Sequence, residues 1–190
     1  MKYKFTGETR TTSSGILLHQ IVAIRDVNIF APAGTIGGWI ERASNLSHDG
    51  KSWVSGNAQV SGNAQVSGNT WVSGNAQVSG NAQVSGNAWV SGNVQVSGNA
   101  QVSGNARVFG NAQVSGNAHV SGNVHVVEHA RVSGNARVFG NARVSTKVSG
   151  DVGASNQDIV SDHVLAKEQE IENRIKKLYG KCKTTVHWSK

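Results

Sequence analysis

Valine stands at every sixth position from Val54 to Val144, sixteen times in succession, with no insertion or deletion to break the count. Neither an α-helix nor a flat sheet repeats at six, so the period belongs to a chain wound in short straight sides. Each hexad reads Val, Ser, Gly, Asn, Ala and then a variable residue, most often Gln. The stretch Ala-x-Val-Ser alternates inward and outward as a short strand does. Gly-Asn then makes the corner, because both residues tolerate left-handed backbone angles. Three such corners close a triangular coil of about 18 residues, which places residues 18 apart above one another at about 4.8 Å.

The variable position follows that geometry. Trp53, Trp71 and Trp89 are spaced by 18, and their column continues as Arg107, His125 and Arg143. A second column holds Gln59, Gln77, Gln95, Gln113 and Arg131; a third holds Gln65, Gln83, Gln101, His119 and Arg137. Valine and alanine fill the interior, and Thr70, Val94 and Val124 replace the small residue without disturbing the period. Stability is then close to a sum over coils, because each layer touches only its neighbours. About five coils span about 25 Å.

Composition agrees with a core made of thin layers. The 190 residues include 23 glycines and only 6% aromatics, too little bulky material for an ordinary globular core. The single cysteine, Cys182, rules out an internal disulfide framework. The start MKYKFTGETR has no apolar signal region, and ILLHQIVAI is too short and polar for a membrane span. A cytoplasmic protein without membrane contact is expected.

The net charge of +7 is unevenly placed. No charged residue occurs from Val54 to Ala106, and then Arg107, Arg131, Arg137, Arg143 and Lys147 face a single acid, Glu128. A nucleic acid or a small anionic ligand such as a nucleotide could use that half; solubility and prevention of end-to-end stacking are the simpler account of it.

The hexad V-S-G-N-A-Q resembles the hexapeptide pattern of the left-handed parallel β-helix, and the left hand is implied by that resemblance alone. It covers residues 54–149, with a looser register reaching back through Ile36–Glu41, although Arg42 and His48 fall where valine is expected. The leader ILLHQIVAIRDVNIFAPAGTIGGWIE is similar to that of hexapeptide-repeat proteins encoded by phages and prophages. Bacterial YdcK-like proteins, described as acyltransferases, share the layout. The resemblance implies an N-terminal β cap over residues 1–35 that closes the exposed edge of the first coil, with coils over 36–155.

Residues 156–190 depart from the repeat. Ser161 can cap a helix that ends at Gly180, with Lys176 and Lys177 in its last turn. Val164, Leu165, Ile171, Ile175 and Leu178 give it an apolar stripe. Its length of about 27 Å matches the solenoid, so it can fold back along the tryptophan column. Packing against two symmetry mates as a short helical trimer is the other solution. The tail KCKTTVHWSK can add an edge strand anchored by Trp188.

Enzymes of the family that the repeat resembles are commonly homotrimers with acyl-CoA sites between subunits and a histidine as general base. His119 and His125 are the histidines on regular outward positions, and acyl-CoA is the cofactor that this alternative would need. No loop leaves the coils between Val54 and Val144 to enclose a substrate, so no catalytic residue and no cofactor are assigned. Zinc held by His119, His125 and His129 would need H-x5-H-x3-H, which matches no familiar signature, and no metal site is assigned. Ranks of Gln and Ser rather than Thr exclude an ice-binding face, and the lack of acidic ligands excludes calcium corners. Glycines with no helix after them cannot form a phosphate loop.

The residues that break the repeat are Trp53, Trp71, Trp89, Phe109, Val127, Glu128, His129 and Phe139. Stacked outward tryptophans are expected either to be covered by the C-terminal helix or a subunit contact, or to recognise a partner. The sequence reading is a non-catalytic binding or scaffold solenoid of phage or prophage type, a homotrimer that can bind and neutralise a host protein or a nucleotide-like anion. Its interface residues are Trp53, Trp71, Trp89, Arg107, His125, Arg131, Arg137 and Arg143.

Overall fold

The computed structural model describes residues 1–155 and 159–160, and it is a parallel β-solenoid closed at its N-terminal end by an antiparallel cap. The cap consists of β1 (Tyr3–Thr11), β2 (Leu17–Ala23) and β3 (Ile36–Ile40). Strand β3 pairs antiparallel with β2 and parallel with Gln59–Val60, so the cap and one solenoid face form a continuous nine-stranded sheet. On that face the edge of the first coil is thereby paired, as the sequence led us to expect.

The other two faces are a seven-stranded sheet from Trp53–Val54 to Ile159–Val160 and a six-stranded sheet from Gln65–Val66 to Gly153–Ala154. Registers of Trp71 on Trp89, Gln77 on Gln95 and Gln83 on Gln101 reproduce the three columns spaced by 18. Every valine of the hexads is buried at 0% exposure. Burial of each contributes about 1.5–3 kcal/mol before entropy is counted.

The corners divide their work differently from the expectation. Within each Gly-Asn pair the glycine takes the left-handed backbone and the asparagine does not. A Cβ on Gly86, for example, would lie 2.8 Å from both the backbone N and O of Gly104 in the next coil, so stacking as well as φ excludes a side chain there. Asparagine recurs because its amide bridges coils. Asn87 Nδ2 donates to Asn105 Oδ1 at 2.9 Å, Asn105 to Asn123 at 2.8 Å, and Asn123 to Asn141 at 2.9 Å. The ladders therefore run through asparagine, with one serine step from Ser73 to Ser91, rather than through serine and glutamine generally.

Two coils depart from 18 residues. At the cap end Trp39 lies over Gln59 and Leu46 over Val66, a spacing of 20. Ile40 and Leu46, not Ile36 and His48, are thus the inward residues, and the corner from Ser47 to Ser52 holds the two extra positions. At the far end Arg131 pairs with Lys147, Arg137 with Gly153 and Arg143 with Ile159, a spacing of 16. The corner at Ser145–Thr146 lacks the Gly-Asn pair. Below it sits Glu128, the non-glycine residue with positive φ (60°) among those described. The shortened corner puts no glycine in register over Glu128, whereas Gly110 beneath would drive a Cβ to 2.7 Å from the Glu128 carbonyl oxygen.

The C-terminal helix expected over 161–180, with Val164, Leu165, Ile171, Ile175 and Leu178, and the tail strand at Trp188 lie outside the described residues. Among the described residues no helix is long and apolar enough to cross a membrane.

Candidate functional site

The seven-stranded face carries the most varied outward column in the protein. In order along the solenoid it presents Trp53, Trp71, Trp89, Arg107, His125 and Arg143, in continuous register. It is aromatic toward the cap and basic toward the far end, because single substitutions of the variable position leave the backbone unchanged.

Trp53 is not an outward, exposed member of that column. It is 0% exposed, since β3 crosses its ring; a Cβ on Gly37 would come within 2.8 Å of Trp53 Cζ2. Its indole Nε1 is buried without a hydrogen-bond partner. Trp71 is half-buried, with Phe30 of the cap turn set edge-on at 5.5 Å between ring centres. Trp89 is 40% exposed and meets Phe109 edge-on at 6.0 Å. Among the described residues, the cover over the first two tryptophans comes from the cap.

Between cap and coils lies a groove of about 200 Å³ lined by Ile29, Phe30, Lys51, Trp71, Ala88 and Trp89 among others. Ile29 is 88% exposed and Phe30 60%, an apolar rim that a lone chain in water disfavours. Neither residue lies on the repeat, and the signal for them in the sequence is two large apolar residues side by side in the Asn28–Pro32 turn. Asn28 holds that turn, its Oδ1 accepting from Phe30 N–H at 2.8 Å and its Nδ2 donating to the Lys51 carbonyl at 3.1 Å.

The basic side chains do not form one patch. Arg107, His125 and Arg143 share the tryptophan face, Arg131 and Lys147 lie on the nine-stranded face, and His119 and Arg137 on the six-stranded face. Arg143 approaches Glu128 at 3.8 Å, an exposed pair that contributes under about 1 kcal/mol. His119, His125 and His129 share no face: the first two belong to different sheets, and His129 occupies the asparagine position of a corner. On the six-stranded side a shallow polar hollow of about 550 Å³ is bordered by Asn117, His119, Asn135, Arg137, Phe139 and Asp151.

A second polar cluster lies inside the cap. The Lys2 ammonium donates to Ser52 Oγ at 2.8 Å and is buried, which pushes it down to about 8, with Arg25 adding repulsion and Asp49 opposing it. The Tyr3 hydroxyl donates within 3.0 Å of the Leu46 and Ala43 carbonyls, and burial pushes it up to about 12. His48 stacks on Tyr3 at 4.3 Å and is held below its usual range by burial, then by the N-terminus and Lys2. This cluster pins the long first corner to the cap.

Comparison with known proteins places these coils. The YdcK Beta solenoid repeat model matches residues 58–74, 76–92, 82–98, 100–113, 112–128 and 130–146. Over 60 residues the chain is 40% identical to a protein of Escherichia coli (strain K12) described as "Uncharacterized acetyltransferase YdcK", covering 28% of this chain and 18% of that protein. The alignment thus spans less than a fifth of the relative's length. The coils of this chain form a parallel β-solenoid whose hexad repeats are similar to those of that model.

Proposed function

We propose that this chain is a non-catalytic binding protein whose working surface is the seven-stranded face from Trp71 through Trp89, Arg107 and His125 to Arg143. The observation that carries the reading is the order of that column: an apolar groove rimmed by Phe30 and Trp89 is followed in register by the basic side chains Arg107, His125 and Arg143. Its complement is an amphipathic segment of a protein partner, apolar at one end and acidic at the other. The placing of Arg131 and Arg137 on other faces argues against a duplex laid on one continuous basic stripe. The leader's resemblance to those of phage and prophage proteins directs the search to a bacterial cytoplasmic host factor as the partner.

Acyl transfer is the second reading, favoured by the description of the relative and by the hollow beside His119 and Arg137. In it the chain would be a trimer with acyl-CoA between subunits and His119 or His125 as base. Titration with acetyl-CoA separates the two. The binding reading expects no saturable uptake and no acetyl transfer; saturable binding with turnover that disappears in His119→Ala or His125→Ala would overturn it.

A further inference from the structure

Serine fills the outward position after each inward valine of the nine-stranded face, from Ser61 to Ser149, but not of the seven-stranded face. There the column runs Ser73, Ser91 and Phe109 in register, and Val127 follows eighteen residues on. Both replacements are half-buried, and Phe109 meets Trp89 edge-on with ring centres 6.0 Å apart. An apolar track therefore continues from Trp71 and Trp89 onto Phe109 and Val127, crossing from one outward column to the next. Arg107 stands beside Phe109 on its strand, and His125 two residues before Val127. We infer that this track seats an amphipathic α-helix of the partner, laid obliquely along the solenoid, with its apolar stripe on these four residues and an acidic flank over Arg107. This rests on the proposed function and names the conformation of the segment that the face receives.

Spacing selects the helix. Four rungs about 4.8 Å apart, with one sideways step of two residues or about 7 Å, give the track a length of about 16 Å. Apolar residues at i, i+3, i+7 and i+10 of a helix span about 15 Å, in steps of about 4.5, 6 and 4.5 Å. The longer middle step falls where the track changes column, between Trp89 and Phe109. Side chains on one face of an extended strand recur at about 6.8 Å, so four of them cover about 20 Å and the last overshoots Val127 by about 4 Å. Charge sets which end lies at the cap. Ile29 and Phe30 close the track there and bound the apolar groove beside Trp71 and Trp89, which receives the first apolar residue. Arg143 lies 3.8 Å from Glu128, whereas Arg107 makes no ion pair among the described residues. An acid flanking the third apolar residue meets Arg107, so the acidic flank belongs to the end away from the cap.

Calorimetric titration of the full chain with synthetic peptides tests the inference. The probe is a stapled helix of about 16 residues with leucine at i, i+3, i+7 and i+10 and glutamates flanking the last two. The comparison peptide has the same composition with its leucines at alternate positions. The helix should bind saturably and about tenfold or more tightly than the alternating peptide. Phe109→Ser restores the residue of the repeat and so keeps the coil; it should weaken the helix about tenfold, as should Arg107→Glu. Phe139→Ser and Arg137→Glu on the six-stranded side should leave its affinity unchanged. Absence of saturable binding, an alternating peptide that binds as tightly, or an unchanged affinity in Phe109→Ser would overturn the inference. So would self-association of the parent chain that Phe109→Ser abolishes, which would assign the track to a second copy. An alternating peptide held at Trp89 and Arg107 contradicts only this inference; a helix bound as described by a chain that turns over acetyl-CoA contradicts only the proposed function.

Discussion

Phe30 of the cap meets Trp71 of the coils edge to face, with ring centres 5.5 Å apart and planes inclined at 66°. One contact thus joins the two parts of the fold and builds one wall of the groove beside Trp89. Such a pair contributes about 0.5–1.5 kcal/mol beyond the area it buries. Phe30→Ala should therefore lower stability by about 1 kcal/mol and shift Trp71 emission toward the red. An unchanged spectrum and unfolding midpoint would show that the cap turn does not rest on Trp71.

The corners give a pair of opposite predictions. Gly86→Ala places a methyl against the Gly104 backbone and forces a left-handed alanine, so it should cost about 2 kcal/mol or more. Glu128→Gly relieves a left-handed non-glycine residue and should raise stability by about 1 kcal/mol. Denaturant unfolding measures both, and a stabilising Gly86→Ala would refute the stacking argument.

Asparagine at the corners is predicted to act through its amide. Asn105→Ala removes the bonds to Asn87 and Asn123 and should cost about 1 kcal/mol, whereas Gln101→Ala on the adjacent flat side should cost less than about 0.5 kcal/mol. Equal costs for the two would assign asparagine to backbone conformation instead.

The period of six made the three columns and their partners 18 residues away readable, because every side of the triangle repeats the same alternation. It could not report corner lengths. The two residues gained between Leu46 and Val54 and the two lost at Ser145–Thr146 lie where no inward residue marks the count. Trp53 was misplaced for a related reason: its cover is a long-range contact with Gly37 of β3, and its own hexad looks like those of Trp71 and Trp89. Gly-Asn, taken as one conformational signal, proved to be two separate requirements, absence of a Cβ and presence of an amide. The groove was half legible, since its tryptophans lie on the repeat but Ile29 and Phe30 arrive from the cap.

The cap should show a pH-dependent stability of two opposite slopes. Lys2 is pushed down from 10.5 to about 8, so between those values the unfolded chain binds a proton that the folded chain does not, and stability rises with pH. Tyr3 is pushed up from 10.0 to about 12, so above about 10 the folded chain retains a proton that the unfolded chain has lost, and stability falls. Urea midpoints followed by tryptophan fluorescence should climb from about pH 8 and turn down above about pH 10. Lys2→Met should flatten the rise and Tyr3→Phe the fall; a parent profile flat across this window would contradict the buried cluster.

If one face of the three does the binding, native mass spectrometry of the chain recovered from its natural host will show it. Parent protein should carry a partner at fixed stoichiometry, Trp89→Ala and Arg107→Ala should each release it, and Gln83→Ala and Arg137→Ala on the six-stranded face should retain it. A chain recovered with no partner, or a partner retained in Trp89→Ala and lost in Arg137→Ala, would contradict the account.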